Sequence, residues 1–246
     1  STVSGTLAIM LAELGRSVLA VDADADANLA DSLGIPAREK NKIMPIAEQA
    51  GLVEERTGAK AGSFGQIFSL SPEVTDIADN YSFLWRGVNL ISMGSVKSGG
   101  GGCLCPESTL VKALVNNLVL GRSEDLVMDM EAGIEHLGRG TASGVDKMII
   151  VCEPGHRSID CGLKILSLCR ELGLFNIIFL GNKVKNKQEE EFIRKNLAKD
   201  SLFGCIKWSE SLRNADRDGK STRDYLGDYN EKLMKALIEE MLINEK

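Results

Sequence analysis

The stretch RSVLAVDADADANLADSLG, Arg16–Gly34, runs four apolar residues, Val18–Val21, straight into Asp22, Asp24 and Asp26. An unbroken apolar run this short reads as a strand buried on both faces, the mark of a parallel sheet covered by helices. Ligands of such sheets sit outside the carboxyl ends of the strands. The three carboxylates therefore stand where a site would be. Just upstream, Val3–Leu14 carries apolar residues at helical spacing and stops at Gly15, a good helix ending.

The alternation continues along the chain. Further strands fall near Val88–Ser92, Leu126–Asp129, Lys147–Cys152 and Asn176–Gly181, and helices near Pro106–Leu120, Ser158–Leu172, Glu189–Leu197 and Asn230–Ile243. Strand and helix in turn predict an α/β fold, a mostly parallel, doubly wound sheet flanked by helices. With 246 residues the chain suits one such domain and is cramped for two, so residues 1–246 are read as a single domain. Residues 37–86 are its irregular part, charged and without clear period. They form either a partner-binding insertion or a helical connection.

Composition excludes several classes. No run approaches the length of a membrane span, and STVSGTLAIM reads as a helix start rather than a secretory leader. The net charge of −6 argues against a nucleic-acid partner, which needs a basic footprint. Lys183, Lys185, Lys187, Arg194 and Lys195 are interleaved with Glu189–Glu191 and read as a solvated helix face. Six cysteines are too few for a disulfide scaffold at this length, which points to a reduced, cytoplasmic protein. Four of them, Cys152, Cys161, Cys169 and Cys205, lie on apolar faces and read as small buried hydrophobes.

A second acidic strand end follows in VMDMEAGIEHLGRG, Val127–Gly140, where Asp129 leads Glu131 and Gly133. Two such ends together suit Mg²⁺, which keeps most of its water and takes few carboxylates. The stretch SGGGGCLCPES, Ser98–Ser108, poses a different question, because Cys103 and Cys105 are too close for an unstrained disulfide. In extended backbone both face one side, where their thiolates converge on a single ion. Soft-metal thiolate sites are commonly four-coordinate, so the same pair from a second copy across a two-fold axis would complete a Zn²⁺ or Ni²⁺ site.

In this order, STVSGTLAIMLAELGRSVLAVDAD, the CxCP stretch and DMEAGIEHLGRG resemble the deviant Walker A ATPases. That family includes cell-division positioning ATPases, plasmid-partition ATPases and nitrogenase iron protein. Within it, the CxCP and DMEAGIEHLGRG stretches and the insertion are most similar to the maturation ATPases for nickel insertion into carbon monoxide dehydrogenase. The resemblance runs from Ser1 to about Gly219. It implies a dimeric P-loop ATPase using ATP and Mg²⁺, with carbon monoxide dehydrogenase or acetyl-CoA synthase as client. Family members place a strand and a GKGGxGK loop before the Ser/Thr pair. This chain starts at Ser1, and a sheet without that strand would expose an unsatisfied edge. An iron–sulfur carrier or reductase like nitrogenase iron protein is one alternative, since four shared cysteines could hold a cluster. A spatial-positioning ATPase on membrane or DNA is another. The tail YNEKLMKALIEEMLINEK, with at least as many acids as bases, does not favour it.

The resemblance carries roles over residue by residue. Ser1 corresponds to the hydroxyl on Mg²⁺ and Thr2 to a hydroxyl near the α-phosphate, though both also suit helix capping. Asp22 corresponds to the carboxylate that binds Mg²⁺ through water, and Asp129 to a second carboxylate behind that water shell. Asp24 matches the residue that orients the attacking water. Gly133 matches a backbone N–H donated to the γ-phosphate, and Asn182 an adenine-reading amide; Asn182 also reads as a turn residue. Asp26 stands where the family often has proline, and Glu131 receives no role. His136 and His156 read as structural, capping or solvated rather than catalytic.

Overall fold

The computed structural model describes residues 1–24, 26–61, 67–94, 105–121, 124–131, 144–197 and 201–242. Strand β1 (Val18–Asp22) is buried at every position, as its apolar run requires. It pairs in parallel with β3 (Val88–Ser92) on one side and β4 (Asp125–Asp129) on the other. The short β2 (Phe83–Trp85) adds antiparallel to β3, giving the order β2-β3-β1-β4. Helix α1 (Thr2–Glu13) packs on β1, β3 and β4, burying Val3, Leu7, Ile9 and Leu11.

The chain divides into two compact units, Ser1–Glu131 with Gly219–Arg223, and Ala132–Asp218 with Asp224–Lys246. In the first, residues 37–86 form α3 (Ala37–Lys40), a 3₁₀ turn (Ile46–Glu48), α4 (Ala50–Thr57), α5 (Ile77–Tyr81) and β2, after α2 (Leu29–Ser32) and ahead of α6 (Pro106–Gly121). Ile46, Leu52, Val53, Val74 and Ile77 of this region are buried, and its 3₁₀ turn and α4 pack against α6. In the second unit β5 (Met148–Cys152), β6 (Ile177–Val184) and β7 (Leu202–Lys207) form a parallel sheet in that order. With them come α7 (His156–Glu171), α8 (Lys187–Asn196), α9 (Glu210–Arg217) and α10 (Gly227–Leu242).

The α/β class and the parallel strands are as the sequence predicts. Among the described residues, however, the strands form two sheets, with β4 at an edge of the first and β5 at an edge of the second. Both strands have apolar centres, Leu126–Met128 and Met148–Val151. Natural edges are blunted with charge or proline, so these two are composed like interior strands. Three of the four cysteines expected to be buried are so; Cys161, on the side of α7, is only half-buried. Lys183, Lys185, Lys187, Arg194 and Lys195 are all exposed, as expected; Lys183 pairs with Glu153 at the surface, and Lys185 lies over the Trp208 ring.

Residues 219–223 are held in the first unit by a tight fit. Thr222 Oγ1 donates to the Ser32 carbonyl at 3.2 Å and lies 3.0 Å from Thr6 Oγ1. Gly34 has φ +74, and a Cβ there would lie 2.4 Å from the Ser221 amide nitrogen. Strain and overlap should therefore make Gly34→Ala destabilising by about 2–4 kcal/mol. Urea unfolding measures this; a loss near zero would show that the segment yields.

Candidate functional site

Strand register brings the site together. Asp22 lies opposite Ser92 on β3 and opposite Asp129 on β4, so the three form a row at the carboxyl ends of adjacent strands. The ladder continues past them: Met93 N–H donates to the Asp22 carbonyl at 2.8 Å, and Ala23 N–H to the Asp129 carbonyl at 2.9 Å. The backbone thereby holds the two residues on neighbouring strands, roughly 4.8 Å apart along the hydrogen-bonding direction.

Asp22 is 1% exposed. Its Oδ2 accepts the Leu29 N–H at 3.0 Å and its Oδ1 the Asp24 N–H at 3.3 Å. The chain turns back to make the first of these bonds, with Ala27 at φ +49. Burial pushes the Asp22 carboxyl up, the neighbouring Asp129 adds to this, and the two N–H groups oppose it; the net result is about 6. Asp129 accepts the Ser4 hydroxyl on Oδ1 at 2.7 Å, with the Ser1 amino group 3.3 Å from the same oxygen. Its Oδ2 is buried without a hydrogen-bond partner among the described residues, and so is Ser92 Oγ.

These residues fit Mg²⁺. The donors are hard oxygens, one carboxylate oxygen is buried and unpaired, and a cation would relieve the repulsion between two buried acids. Among the described residues no cluster of three or more His, Cys, Asp or Glu forms a full cage. A two-carboxylate corner suits an ion that keeps its waters.

The other expected residues are placed as follows. Ser1 precedes α1 and makes no side-chain cap bond, while its carbonyl accepts Gly5 N–H at 2.8 Å. Thr2 lies half-buried in the first turn. Asp24 Oδ1 accepts Asp26 N–H at 2.9 Å, which closes a small turn and fixes the side chain; Asp26 is exposed. Asn182 belongs to the second unit, at an irregularity of β6 between Gly181 and Val184. Its Oδ1 accepts Lys183 N–H at 3.0 Å, and Lys183 has φ +56. His156 opens α7 with its ring edge-on to Phe192, centroids 4.9 Å apart, a packing role. Cys105 immediately precedes α6, and its Sγ accepts the Ser108 N–H at 3.4 Å. A helix N-terminus is an electropositive seat for sulfur. Gly133, Cys103 and His136 lie outside the described residues.

Sequence reasoning missed Ser4, Ser92 and the Leu29 amide. Ser4 had a signal, because it stands three residues after Ser1 and so on the same helix face. Ser92 had none beyond ending a strand.

Buried carboxylates at parallel strand ends, beside the start of a helix, stand where α/β folds of this kind take their ligands. The chain matches the CobQ/CobB/MinD/ParA nucleotide binding domain over residues 1–222, and it belongs to that family. It is 40% identical over 242 residues to the carbon monoxide dehydrogenase accessory protein CooC of Rhodospirillum rubrum, covering 97% of this chain and 92% of the relative. It is 35% identical over 222 residues to an uncharacterized ATP-binding protein of Methanocaldococcus jannaschii, covering 89% and 84%. Two solved structures share the fold. Septum site-determining MinD of Pyrococcus horikoshii with Mg-ADP gives a TM-score of 0.64 at 17% identity, over 99% of this chain and 90% of that one. A ParA family ATPase from Chlorobium tepidum gives 0.64 at 16%, over 98% and 91%. No described helix is long and apolar enough to cross a membrane.

The raised Asp22 carboxyl has a signed consequence for the metal-free protein. Its folded value, about 6, lies above the ordinary 3.8. The folded state therefore binds the extra proton between those values, and stability falls as pH rises from about 4 to 6 and is flat above. Asp22→Asn should stabilise the metal-free protein at pH 7.5 by roughly 1–3 kcal/mol. It should also flatten this part of the pH profile. Chemical denaturation in EDTA across pH 4–8 reads both; an Asn variant less stable at pH 7.5 would show that the carboxylate is favourably placed even without metal.

Proposed function

We propose that the protein is a homodimeric, Mg²⁺-dependent ATPase that serves as a metallochaperone in nickel insertion into carbon monoxide dehydrogenase, with acetyl-CoA synthase as the other client of the same chemistry. The carrying observation is the 40% identity with a carbon monoxide dehydrogenase accessory protein across nearly the whole chain, joined to the paired carboxylates at the ends of β1 and β4. Bound Mg²⁺ supplies charge neutralisation for the phosphates. Asp22 and Asp129 hold its water shell, and Ser1 and Thr2 open the helix whose N-terminus favours phosphate oxygens. Asp24, fixed by its bond from Asp26 N–H, orients the attacking water. Phosphoryl transfer needs positioning and charge neutralisation more than a strong base. Gly133 donates its N–H to the γ-phosphate and Asn182 reads the adenine edge. Cys103 and Cys105 hold Ni²⁺ or Zn²⁺ as cargo, the pair being completed by a second copy.

In the full-length protein, Asp24→Asn should bind ATP normally and hydrolyse it about 10²-fold more slowly, since the amide keeps the shape and loses the charge that orients water. Turnover and nucleotide binding are measured together. Normal turnover in Asp24→Asn with loss in Asp22→Asn would exchange the two roles.

Replacing Cys103 and Cys105 together by serine should abolish metal-dependent dimerisation and leave the fold intact. The unchanged protein should hold one Ni²⁺ or Zn²⁺ per dimer, with affinity falling at acid pH as the thiols protonate. Metal analysis with light scattering decides this. One metal per monomer, or retention of metal by the double variant, would place the site elsewhere.

A further inference from the structure

Two adjacent residues of α1, Ser4 and Gly5, bear on both carboxylates of the site. A serine within a helix commonly bonds back to a carbonyl of the preceding turn. Ser4 instead reaches across to a strand: its Oγ donates to Asp129 Oδ1 at 2.7 Å, between residues 125 positions apart. The other oxygen, Oδ2, is left buried and without a hydrogen-bond partner among the described residues, an arrangement that is unfavourable unless something else meets that atom. Gly5 acts on the opposite side. A Cβ there would lie 2.7 Å from Ser32 Cβ, so its absence lets α2 close against α1. The first amide of α2, that of Leu29, is the one bonded to Asp22 Oδ2.

We propose that Ser4 is a positioning residue for the metal–nucleotide site. It grips Asp129 by Oδ1 so that Oδ2 faces the water shell of the nucleotide-bound divalent cation. Loss of the hydroxyl removes the shorter of the two contacts on Oδ1, leaving only the Ser1 nitrogen at 3.3 Å, and loosens the direction in which Oδ2 is presented. The proposal rests on the ATPase reading, and it concerns a residue two positions beyond the Ser/Thr pair to which that reading assigns its hydroxyl roles.

The test uses the full-length protein with ADP and with Mn²⁺ as a spectroscopic substitute for Mg²⁺, free Mn²⁺ being counted by electron paramagnetic resonance. Ser4→Ala and Ser4→Val should weaken Mn²⁺ binding to the ADP complex about tenfold, the low end for an outer-sphere partner of a metal site. ADP binding in EDTA should stay within about twofold, and Ser4→Thr, which keeps the hydroxyl, should restore Mn²⁺ affinity to about the same margin. In turnover assays the apparent KM for Mg²⁺ should rise more than kcat falls. Should Ser4→Val fail to fold, Ser4→Ala, which removes a single oxygen, carries the comparison. A folded Ser4→Ala with unchanged Mn²⁺ affinity overturns the proposal, as does a variant that loses ADP in EDTA as severely as it loses the metal. If the unchanged protein binds no Mn²⁺–ADP, the ATPase reading falls and takes this role with it. If it binds normally and the variants match it, only the role of Ser4 falls.

Discussion

Asp22 ends a strand whose other four residues are apolar, and burial disfavours its charge. The surrounding chain is arranged around that problem. Two peptide N–H groups, from Asp24 and Leu29, point at the carboxylate. To bring the Leu29 amide round, the loop after β1 must reverse, which puts Ala27 in a left-handed conformation that alanine seldom adopts. To keep α2 there, it must lie close on α1, which a side chain at position 5 would prevent. Asp129, one strand away, works against all of this by adding a second negative charge. Two N–H donors offset only part of the penalty, and the corner is left short of positive charge. A divalent cation with its waters would offset the rest of the penalty.

Parts of this were legible in the sequence and parts were not, for physical reasons. β1, β3, β4, β5 and β6 were legible as apolar runs; in β1, buried at every position, burial on both faces demands that composition. β7 was missed because LFGCIK places a glycine and a lysine in a six-residue strand. The structure accounts for the glycine, since a Cβ at Gly204 would lie 2.4 Å from Leu233 Cδ1. The helices of residues 37–86 run only four to eight residues, too short for a 3.6-residue period to show. In the site, Asp22 and Asp129 were readable because a strand end fixes where its last side chain stands. The Ser4 bond was not, because its meaning depends on a partner 125 positions away. The same holds for Ser92, ordinary until register sets it beside Asp22.

The second unit shows how the remaining cysteines earn their places. Cys152 and Gly181 are partners across β5 and β6, and Gly181 and Cys205 across β6 and β7. A Cβ on Gly181 would lie 2.5 Å from Cys205 Sγ, and one on Gly162 of α7 2.6 Å from Cys152 Sγ. Each sulfur thus fills the space over a glycine, which lets helix and sheet approach closely around Phe179 and Ile193. Burial pushes the Cys152 thiol up to about 11, and Cys169 and Cys205 upward as well. Thiols so held are protonated and unreactive. Cys105 differs in setting, since its sulfur already accepts a peptide N–H at the start of a helix.

That helix is also tied to the carboxylate row. The Asp22 carbonyl accepts the Met93 N–H, and the Met93 carbonyl accepts Ala47 N–H from the 3₁₀ turn. The turn packs against α6, which begins one residue after Cys105. A Cβ at Gly94 would lie 2.5 Å from Pro45 Cβ, and its φ of +76 suits only glycine, so the crossing leaves little slack. Hydrogen bonds and packed backbone therefore run without a break from the end of β1 to the start of α6, beside Cys105. Contiguity is a requirement for coupling, not its measure. Coupling is a free energy, and it is reciprocal: if nucleotide alters the affinity of the thiols for metal, metal must alter the affinity for nucleotide by the same factor.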